Sequence, residues 1–345
     1  MLGGSFALLA AITFALNNAS ARRGVLTGSI VQAMAITVPI GVPLFFIATL
    51  ATGHLAAVVG FSPEAMLALA AAGIIHFVWG RYCNYRATKA MGANLVGPLQ
   101  QVSLVLTLVL AILVLGETLT ALRLVGIVLV VLGPMLTLRG ETETRTHPSR
   151  ATDQAETSAE KLESGRPAPF AVNYTEGTVF ALLSALGYGT SPILVRFGLE
   201  SQGLGVSLAA GLIAYGAATL ISLPFLLWPN RLRHVLALEP EAAKWFTISG
   251  VMVCVSQIFL YMAYAVAPVS VVTPIQRLSI VFRIYFGRVL NPQHEVFGRK
   301  VYLGTAVSLL GALALSLSTD VILDSIGARA PLPDWALGLA GWKWP

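Results

Sequence analysis

Residues 96–103 have the sequence VGPLQQVS, and residues 272–279 have the sequence VTPIQRLS. The identical residues that align at this spacing of 176 positions include Pro98 with Pro274, Gln100 with Gln276, and Ser103 with Ser279. A shared apolar composition alone would not align proline and glutamine together. The sequence therefore predicts an internal repeat that covers more than these two stretches.

The repeat extends in both directions from these stretches. Residues 6–9 and 180–183 are both FALL, and the same offset of 174 aligns Arg22 with Arg196. Further identical pairs occur at offsets of 176 and 178: Tyr85 with Tyr261, Glu117 with Glu295, Gly126 with Gly304, and Gly133 with Gly311. Both halves of the chain therefore derive from one unit.

The composition excludes an ordinary water-soluble enzyme. Of 345 residues, 56% are hydrophobic and only 11% are charged, with a mean hydropathy of +0.77, whereas soluble domains carry about 25% charged residues. Stretches of about 20 apolar residues can span a bilayer as helices. Ten such stretches lie near residues 3–20, 28–51, 65–86, 94–115, 121–139, 177–197, 206–228, 243–265, 270–290 and 298–318.

These stretches divide the chain into four parts. We predict a first five-helix repeat at residues 1–140, a flexible polar linker at 141–176, a second repeat at 177–318, and a tail at 319–345. Because each repeat crosses the membrane an odd number of times, the second copy enters from the opposite side. The predicted fold is an all-α integral membrane protein with ten transmembrane helices in two inverted five-helix repeats. The tail should lie along the interface through its tryptophans, Trp335, Trp342 and Trp344.

An alternative for residues 1–21 is a signal peptide, because this apolar stretch ends in Ala19-Ser20-Ala21. However, no basic residue precedes the stretch, and it has a counterpart at residues 177–197 within the chain. We therefore favour a first transmembrane helix.

Basic residues flank the two ends of the predicted bundle unequally. Fifteen lie at the end that the first helix reaches, which we call the basic end, and four lie at the opposite end: Arg123, Arg196, Arg329 and Lys343. Because cytoplasmic flanks are enriched in Lys and Arg, the basic end is expected in the cytoplasm, with both termini outside.

The stretch Leu115-Gly116-Glu117-Thr118-Leu119-Thr120, followed by Gly126 and Gly133, resembles the repeat signature of the drug/metabolite transporter superfamily, EamA-like branch. Pro98 fits the same pattern. The second copy departs from it, since His294-Glu295-Val296 replaces the Gly-Glu step. This resemblance covers nearly all of the chain except the linker and the tail.

The resemblance implies a permease with ten helices around a central substrate cavity. It also implies that both termini lie in the cytoplasm, whereas the distribution of basic residues predicts that they lie outside. It implies transport of solutes that range from amino acids to sugars and nucleotide derivatives. We expect a bacterial inner-membrane protein without a cofactor. Its expected partners are a small-molecule solute and the lipid bilayer, and not nucleic acid. The sequence leaves open whether the protein forms a homodimer.

Four repeated polar residues are candidates for lining the solute cavity. Gln100 and Ser103 are three positions apart and share one helix face, and Gln276 and Ser279 repeat this arrangement. Hydrogen bonding between helices is the alternative role. Tyr85 and Tyr261 are weaker candidates, as repeat equivalents that could offer a hydroxyl group and an aromatic face to a solute.

Two prolines have an uncertain role. Pro98 and Pro274 could each begin a helix inside the membrane, which would aim free amide groups at an anionic solute. A simple proline kink is the alternative.

Three arginines, Arg81, Arg277 and Arg283, lie within predicted helices, where a charge is costly without a partner. Arg277 is the strongest candidate for binding a solute anion, because it is on the order of 10 Å from the end of its helix. Arg81 and Arg283 are also candidates, but they are nearer the basic end, and we favour snorkelling to that end for both.

The predicted helix interiors contain no Asp or Glu, which argues against proton-coupled export of cationic drugs. Asn17 and Asn18 occupy the depth of the first helix where a proton-coupling acid could lie, but neither side chain can titrate. His76 could take part in proton coupling, but a structural role explains it more simply. No cluster of His, Asp or Glu indicates catalysis, and no phosphate-binding Gly-Lys loop indicates ATP.

We predict a secondary transporter of an anionic or amino-acid-like metabolite that works by alternating access. A neutral, zwitterionic or drug-like solute is the alternative, and a lipid-acting enzyme is less favoured.

Overall fold

The computed structural model describes residues 2–115, 119–138, 172–199, 204–266, 272, 275–316 and 343–344. In the first half, the helices are α1 (Leu2–Thr27), α2 (Ile30–Thr37), α3 (Gly41–Ala51), α4 (Pro63–Gly73), α5 (Arg81–Met91), α6 (Ala93–Gln100), α7 (Val102–Leu115) and α8 (Ala121–Leu138). In the second half, they are α9 (Tyr174–Gly198), α10 (Leu204–Leu226), α11 (Pro229–Leu236), α12 (Pro240–Val266), α13 (Ser279–Leu290) and α14 (Arg299–Ser316).

The described part of the chain also has two short connecting helices and two short strands. A 3-10 helix at Leu55–Gly60 precedes α4, and a π-helix at Ile74–Gly80 joins α4 to α5. Strand β1 (Leu119–Thr120) pairs antiparallel with β2 (Lys343–Trp344).

Six helical segments among the described residues are long and apolar enough to cross a membrane: Leu2–Thr27, Ile30–Ala51, Pro63–Met91, Tyr174–Val195, Val206–Leu226 and Pro240–Ala263. A shorter apolar helix covers Leu122–Thr137. The remaining predicted crossings correspond to α6 with α7, α13 and α14. The all-α membrane fold predicted from the sequence is confirmed.

The packing of the helices follows the repeat. Helix α1 packs on α12. Helix α9 is the repeat equivalent of α1, and it packs on α4 and α5, which together are the equivalent of α12. In the same way, α1 packs on α13 while α9 packs on α6 and α7. Equivalent helices also meet each other, as α8 does with α14 and α3 with α10. The two halves therefore exchange places across a pseudo-twofold axis, as two repeats of five crossings require.

A glycine face joins α8 to α14, because Gly126 and Gly133 are seven positions apart and share one helix face, as do Gly304 and Gly311. A methyl group added at Gly133 would lie 2.7 Å from the carbonyl oxygen of Gly304, and one at Gly304 would lie 2.6 Å from that of Gly133. One added at Gly311 would lie 2.6 Å from the amide nitrogen of Val130. These helices pack so closely only because the side chains at the contact are hydrogen atoms.

The second crossing is broken between α2 and α3 at Pro39. Because proline cannot continue the helical hydrogen bonds, the chain turns here, and the amide of Gly41 donates to the carbonyl of Val38 (3.2 Å) instead of that of Thr37. The Thr37 carbonyl is thereby released from the helix.

Of the two roles that the sequence left open for Pro98, the structure shows the kink and not a helix start. Pro98 lies inside α6, which begins at Ala93, and the chain bends after it at Gln101, whose amide donates to the Pro98 carbonyl (3.1 Å). The kink places Gln100 at the junction of α6 and α7. The equivalent Pro274 lies outside the described residues.

Some helix ends differ from the predicted boundaries. Helix α5 continues to Met91, five residues beyond its predicted end, and α9 begins at Tyr174. Glu176, which we assigned to the linker, lies in the first turn of α9 and forms an ion pair with Arg86. The rest of the predicted linker and the tail tryptophans other than Trp344 lie outside the described residues.

Candidate functional site

Arg81 lies in the interior of the bundle rather than at its surface. Its side chain is 3% exposed, and its position ten residues before the end of α5 places it about 15 Å from that end. The guanidinium group donates to the carbonyl of Thr37 (2.5 Å) and to the hydroxyl of Tyr215 (3.0 Å). The expectation that Arg81 snorkels is therefore wrong, because α5 is longer than predicted and the broken second crossing offers a carbonyl within the bundle.

Aromatic rings surround this guanidinium group. Its central carbon lies 5.0 Å from the ring centroid of Phe77 and 5.6 Å from that of Tyr215. Those two rings stack on each other at 3.8 Å, and Tyr215 also stacks on Phe45 at 5.2 Å. Aromatic faces attract a cation, but they do not neutralise it as a carboxylate would.

Two of the predicted tyrosines belong to this region. The hydroxyl of Tyr85, which is 2% exposed, donates to Oγ1 of Thr37 (3.1 Å), so Thr37 connects Tyr85 to Arg81. Tyr261 is half-buried and meets the ring of Phe45 edge-on at 6.0 Å. We call Arg81, Thr37, Tyr85, Tyr215 and Phe77 the Arg81 cluster.

Among the described residues, the hydrogen-bond partners of Arg81 are neutral. Of the ion pairs between described side chains, one joins Arg22 to Glu295 and the other joins Arg86 to Glu176. The Arg81 cluster thus presents a buried positive charge for which the described part of the chain supplies no carboxylate.

A second polar group surrounds Gln100. Its amide nitrogen donates to Oδ1 of Asn84 (2.8 Å), and its carbonyl oxygen accepts from Nη1 of Arg283 (3.0 Å). Arg283 is 4% exposed and also reaches the carbonyl of Ala93 (3.4 Å). Arg283 therefore does not snorkel either, because Gln100 and α6 provide acceptors inside the bundle.

A third polar group closes the basic end of the bundle. Arg22 donates to the carbonyl groups of Thr88 (2.7 Å), Lys89 (3.1 Å) and His294 (2.6 Å), while Glu295 accepts from the amides of Ala93 (2.7 Å) and Asn94 (2.9 Å). The charged side chains are 3.8 Å apart and fully buried. We call these residues the basic-end cluster.

Helix ends explain why the basic-end cluster forms. Arg22 binds the last carbonyl groups of α5, and Glu295 binds the first amide groups of α6, as the helix dipoles favour. Gly92 joins the two helices with φ of +85°, and a methyl group there would lie 2.7 Å from Oε2 of Glu295. Burial raises the pKa of the Glu295 carboxyl group, whereas Arg22 and the two amide groups oppose this shift.

The other predicted site residues are dispersed along the fourth and ninth crossings. Gln276 and Arg277 are half-buried just before α13, Ser279 is the buried first residue of α13, and Ser103 is buried in the first turn of α7. The described contacts of Gln100 run to Asn84 and Arg283. The expected meeting of the two Gln-Ser pairs in one cavity stays a prediction.

Three polar residues that the sequence singled out in the early helices, His76, Asn17 and Asn18, have hydrogen-bond partners. Nδ1 of His76 lies 2.7 Å from the hydroxyl of Ser191, and Oδ1 of Asn17 accepts from Ser249 (2.7 Å). Asn18 donates to the carbonyl of Phe14 within α1 (2.8 Å). These contacts agree with the structural role that we expected for His76.

Two cavities open near the basic end. One of about 330 Å³ is bordered by Ser29, Lys89, His234 and Glu239, and one of about 400 Å³ is bordered by Arg86, Lys89, Asn173 and Glu176. Both lie outside the Arg81 cluster.

Sequence reasoning did not identify several residues of these groups. Thr37 and Tyr215 are ordinary residues of apolar helices, and only Pro39, a proline inside a predicted crossing, indicates that a carbonyl is free nearby. Glu295 is visible in the sequence as the repeat equivalent of Glu117, but its pairing with Arg22 depends on how the halves pack. The equivalents of this pair, Arg196 and Glu117, lie outside the described side chains.

A family profile matches the chain in two segments that correspond to the two halves of the repeat. The profile of the EamA-like transporter family matches residues 1–139 and 175–317. A solved structure described only as a crystal structure of a protein is 16% identical over 95% of this chain and 98% of its own, with a TM-score of 0.48. Among curated proteins no match was found.

Proposed function

Because the chain belongs to the EamA-like transporter family, we propose that it is a secondary transporter of a small organic metabolite with an anionic group. It is a multi-pass membrane protein, and members of its family are transporters of small solutes rather than enzymes. We place it in the bacterial inner membrane and assign it alternating access between the two halves. An amino acid falls within this class of solutes, because it carries a carboxylate.

One observation carries the proposal: Arg81 is buried, and no carboxylate pairs with it among the described side chains. A buried charge is tolerated when it is paired, and an unpaired one marks a binding site in a membrane protein. Guanidinium groups bind carboxylates through two parallel hydrogen bonds. The rings of Phe77 and Tyr215 exclude water around the group, which strengthens such a contact.

The predicted cavity residues add polar contacts to this proposal. Gln100, Gln276, Ser103, Ser279 and Tyr261 offer neutral hydrogen-bond partners for the rest of the solute. Arg277 provides a second cation on the ninth crossing. The arrangement favours a solute with one charged end and a polar body.

The first experiment is a thermal-shift screen of the purified protein against carboxylates, amino acids, neutral sugars and organic cations, because a solute that binds the folded protein raises its apparent stability. Uptake of each hit into proteoliposomes is then measured. We expect stabilisation by carboxylates, and stabilisation by cations alone would contradict the proposal.

Arg81→Gln tests the site itself. We expect uptake of the carboxylate to fall by at least about tenfold, because an ionic hydrogen bond contributes more than a neutral one, while the melting temperature changes little. Arg231→Gln, which removes a cation from the exposed helix α11, is the matched control and should leave uptake unchanged. Wild-type uptake by Arg81→Gln would refute the assignment of Arg81.

A further inference from the structure

The basic-end cluster joins the two halves of the molecule. Arg22, Ala93 and Asn94 belong to the first repeat, whereas His294 and Glu295 belong to the second. Two further bonds cross between the halves beside them: Nδ2 of Asn291 donates to the carbonyl of Ala19 (2.9 Å), and Nδ2 of Asn94 donates to the carbonyl of Val296 (3.3 Å). If the halves separate at this end, all of these contacts must break together.

The chemistry of the cluster suits a contact that breaks and reforms. Burying an ion pair costs so much desolvation that apolar side chains usually stabilise a permanent interface better. Both charges here are fully buried, and their remaining hydrogen bonds go to backbone groups at helix ends. Water that enters on opening would solvate the two charges and the freed backbone groups, so the open state is not prohibitively unfavourable.

The cluster is also connected to the candidate solute site. Ala93 accepts from Arg283 through its carbonyl and donates to Glu295 through its amide. Arg283 in turn donates to Gln100. A solute that draws Gln100 or Arg283 toward itself would therefore act on the first turn of α6, where Glu295 is bound.

We infer that Arg22 and Glu295 form the gate that closes the translocation path at the basic end. This inference rests on the proposed transport function and identifies how one end of that path is closed. In the structure the gate is shut. It opens when Arg22 and Glu295 separate and release the last carbonyl groups of α5 and the first amide groups of α6.

The test measures access to a thiol behind the gate, in a background in which Cys83 and Cys254 are replaced by Ala. The reporter is Asn84→Cys, one helical turn deeper than Thr88, where the native side chain is 4% exposed. A membrane-impermeant maleimide is added to oriented proteoliposomes from the basic end. A second reporter, Ala7→Cys, occupies a fully buried apolar position near the other end of α1 and detects general loosening.

Glu295→Gln should raise the labelling rate of the Asn84→Cys thiol by at least about tenfold, because removing one partner of a buried ion pair shifts an equilibrium by more than that factor. The Ala7→Cys thiol should stay protected. Glu176→Gln is the matched control, since it removes a charge from the half-buried ion pair with Arg86 near the same end and should leave both rates unchanged. Arg22→Gln should reproduce the effect of Glu295→Gln, and the double variant should add little.

Unchanged labelling of Asn84→Cys, or equal gains at both reporters, would overturn the gate. If Glu295→Gln does not fold, Arg22→Lys is tested, which keeps the charge but loses the planar fork that binds three carbonyl groups. Failure of both variants to fold would also overturn the inference, because a contact that opens in every cycle is dispensable for folding. Because no solute is present, the result does not depend on which solute is carried.

Discussion

The break of the second crossing at Pro39 leaves the Thr37 carbonyl free to bind the Arg81 guanidinium group. Pro39 interrupts the second crossing and frees the Thr37 carbonyl, which then accepts from Arg81 at 2.5 Å. A buried backbone carbonyl in a membrane must find a donor, and a buried arginine must find acceptors. Each residue therefore satisfies the other, and together they hold the guanidinium group at a fixed place in the bundle.

Pro39→Ala should weaken solute binding while leaving the protein stable. With alanine, the helix can continue, and the amide of Gly41 can compete with Arg81 for the Thr37 carbonyl. We expect the KM for uptake of a carboxylate to rise several-fold, with a melting temperature no lower than that of the wild type. The control is Pro192→Ala. Pro192 also lies inside a helix, α9, but its side chain is exposed. An unchanged KM would show that the break at Pro39 does not position Arg81.

At the scale of helices, the sequence predicted the crossings well because the bilayer sets their length and apolar character. It predicted their ends and breaks poorly, because these depend on partners from elsewhere in the chain. Arg22 binds the last carbonyl groups of α5, and this long-range contact is not visible in the sequence of residues 86–91. The error of five residues at the end of α5 is what made Arg81 look accessible to the basic end.

The glycine face between α8 and α14 was predictable because spacing and repetition agree. Its importance is testable with Gly133→Ala, in which the new methyl group would lie 2.7 Å from the Gly304 carbonyl and push the helices apart. We expect a loss of about 1–3 kcal/mol in stability, as for other overpacked contacts, measured by thermal unfolding in detergent.

The matched control for this prediction is Gly216→Ala in α10. A methyl group there meets no atom within 4 Å. Because alanine favours a helix over glycine by up to about 1 kcal/mol, this variant should be as stable as the wild type or more stable. Equal effects of the two substitutions would mean that helix propensity, and not the close approach of α8 and α14, governs both.

At the scale of the whole molecule, the repeat explains why the candidate site could be predicted only in part. Sequence comparison identified the equivalent residues Gln100 and Gln276, since equivalence is a property of the sequence. It could not identify the pairing of Arg22 with Glu295, because these residues are partners across the two halves and not equivalents. Contacts that connect the halves arise from the pseudo-twofold packing, which a comparison of one half with the other does not describe.

The unequal distribution of basic residues between the two ends of the bundle predicts the orientation of the molecule in the membrane. Fifteen basic residues flank the basic end, and the described ones include Arg231 and Arg233 on the exposed helix α11. Translocation of so many positive charges is unfavourable, so we expect the basic end in the cytoplasm. The gate of Arg22 and Glu295 would then close the path on the cytoplasmic side.

Labelling of single cysteines in cells tests this orientation. A thiol at Arg233→Cys should react with a membrane-impermeant maleimide only after permeabilisation, whereas one at His54→Cys, in the exposed connection between α3 and α4 at the opposite end, should react in intact cells. The native Cys83 and Cys254 are buried and should contribute little background. The reverse pattern would place both termini in the cytoplasm, as the family resemblance implies, and the gate would then close the outer side of the path.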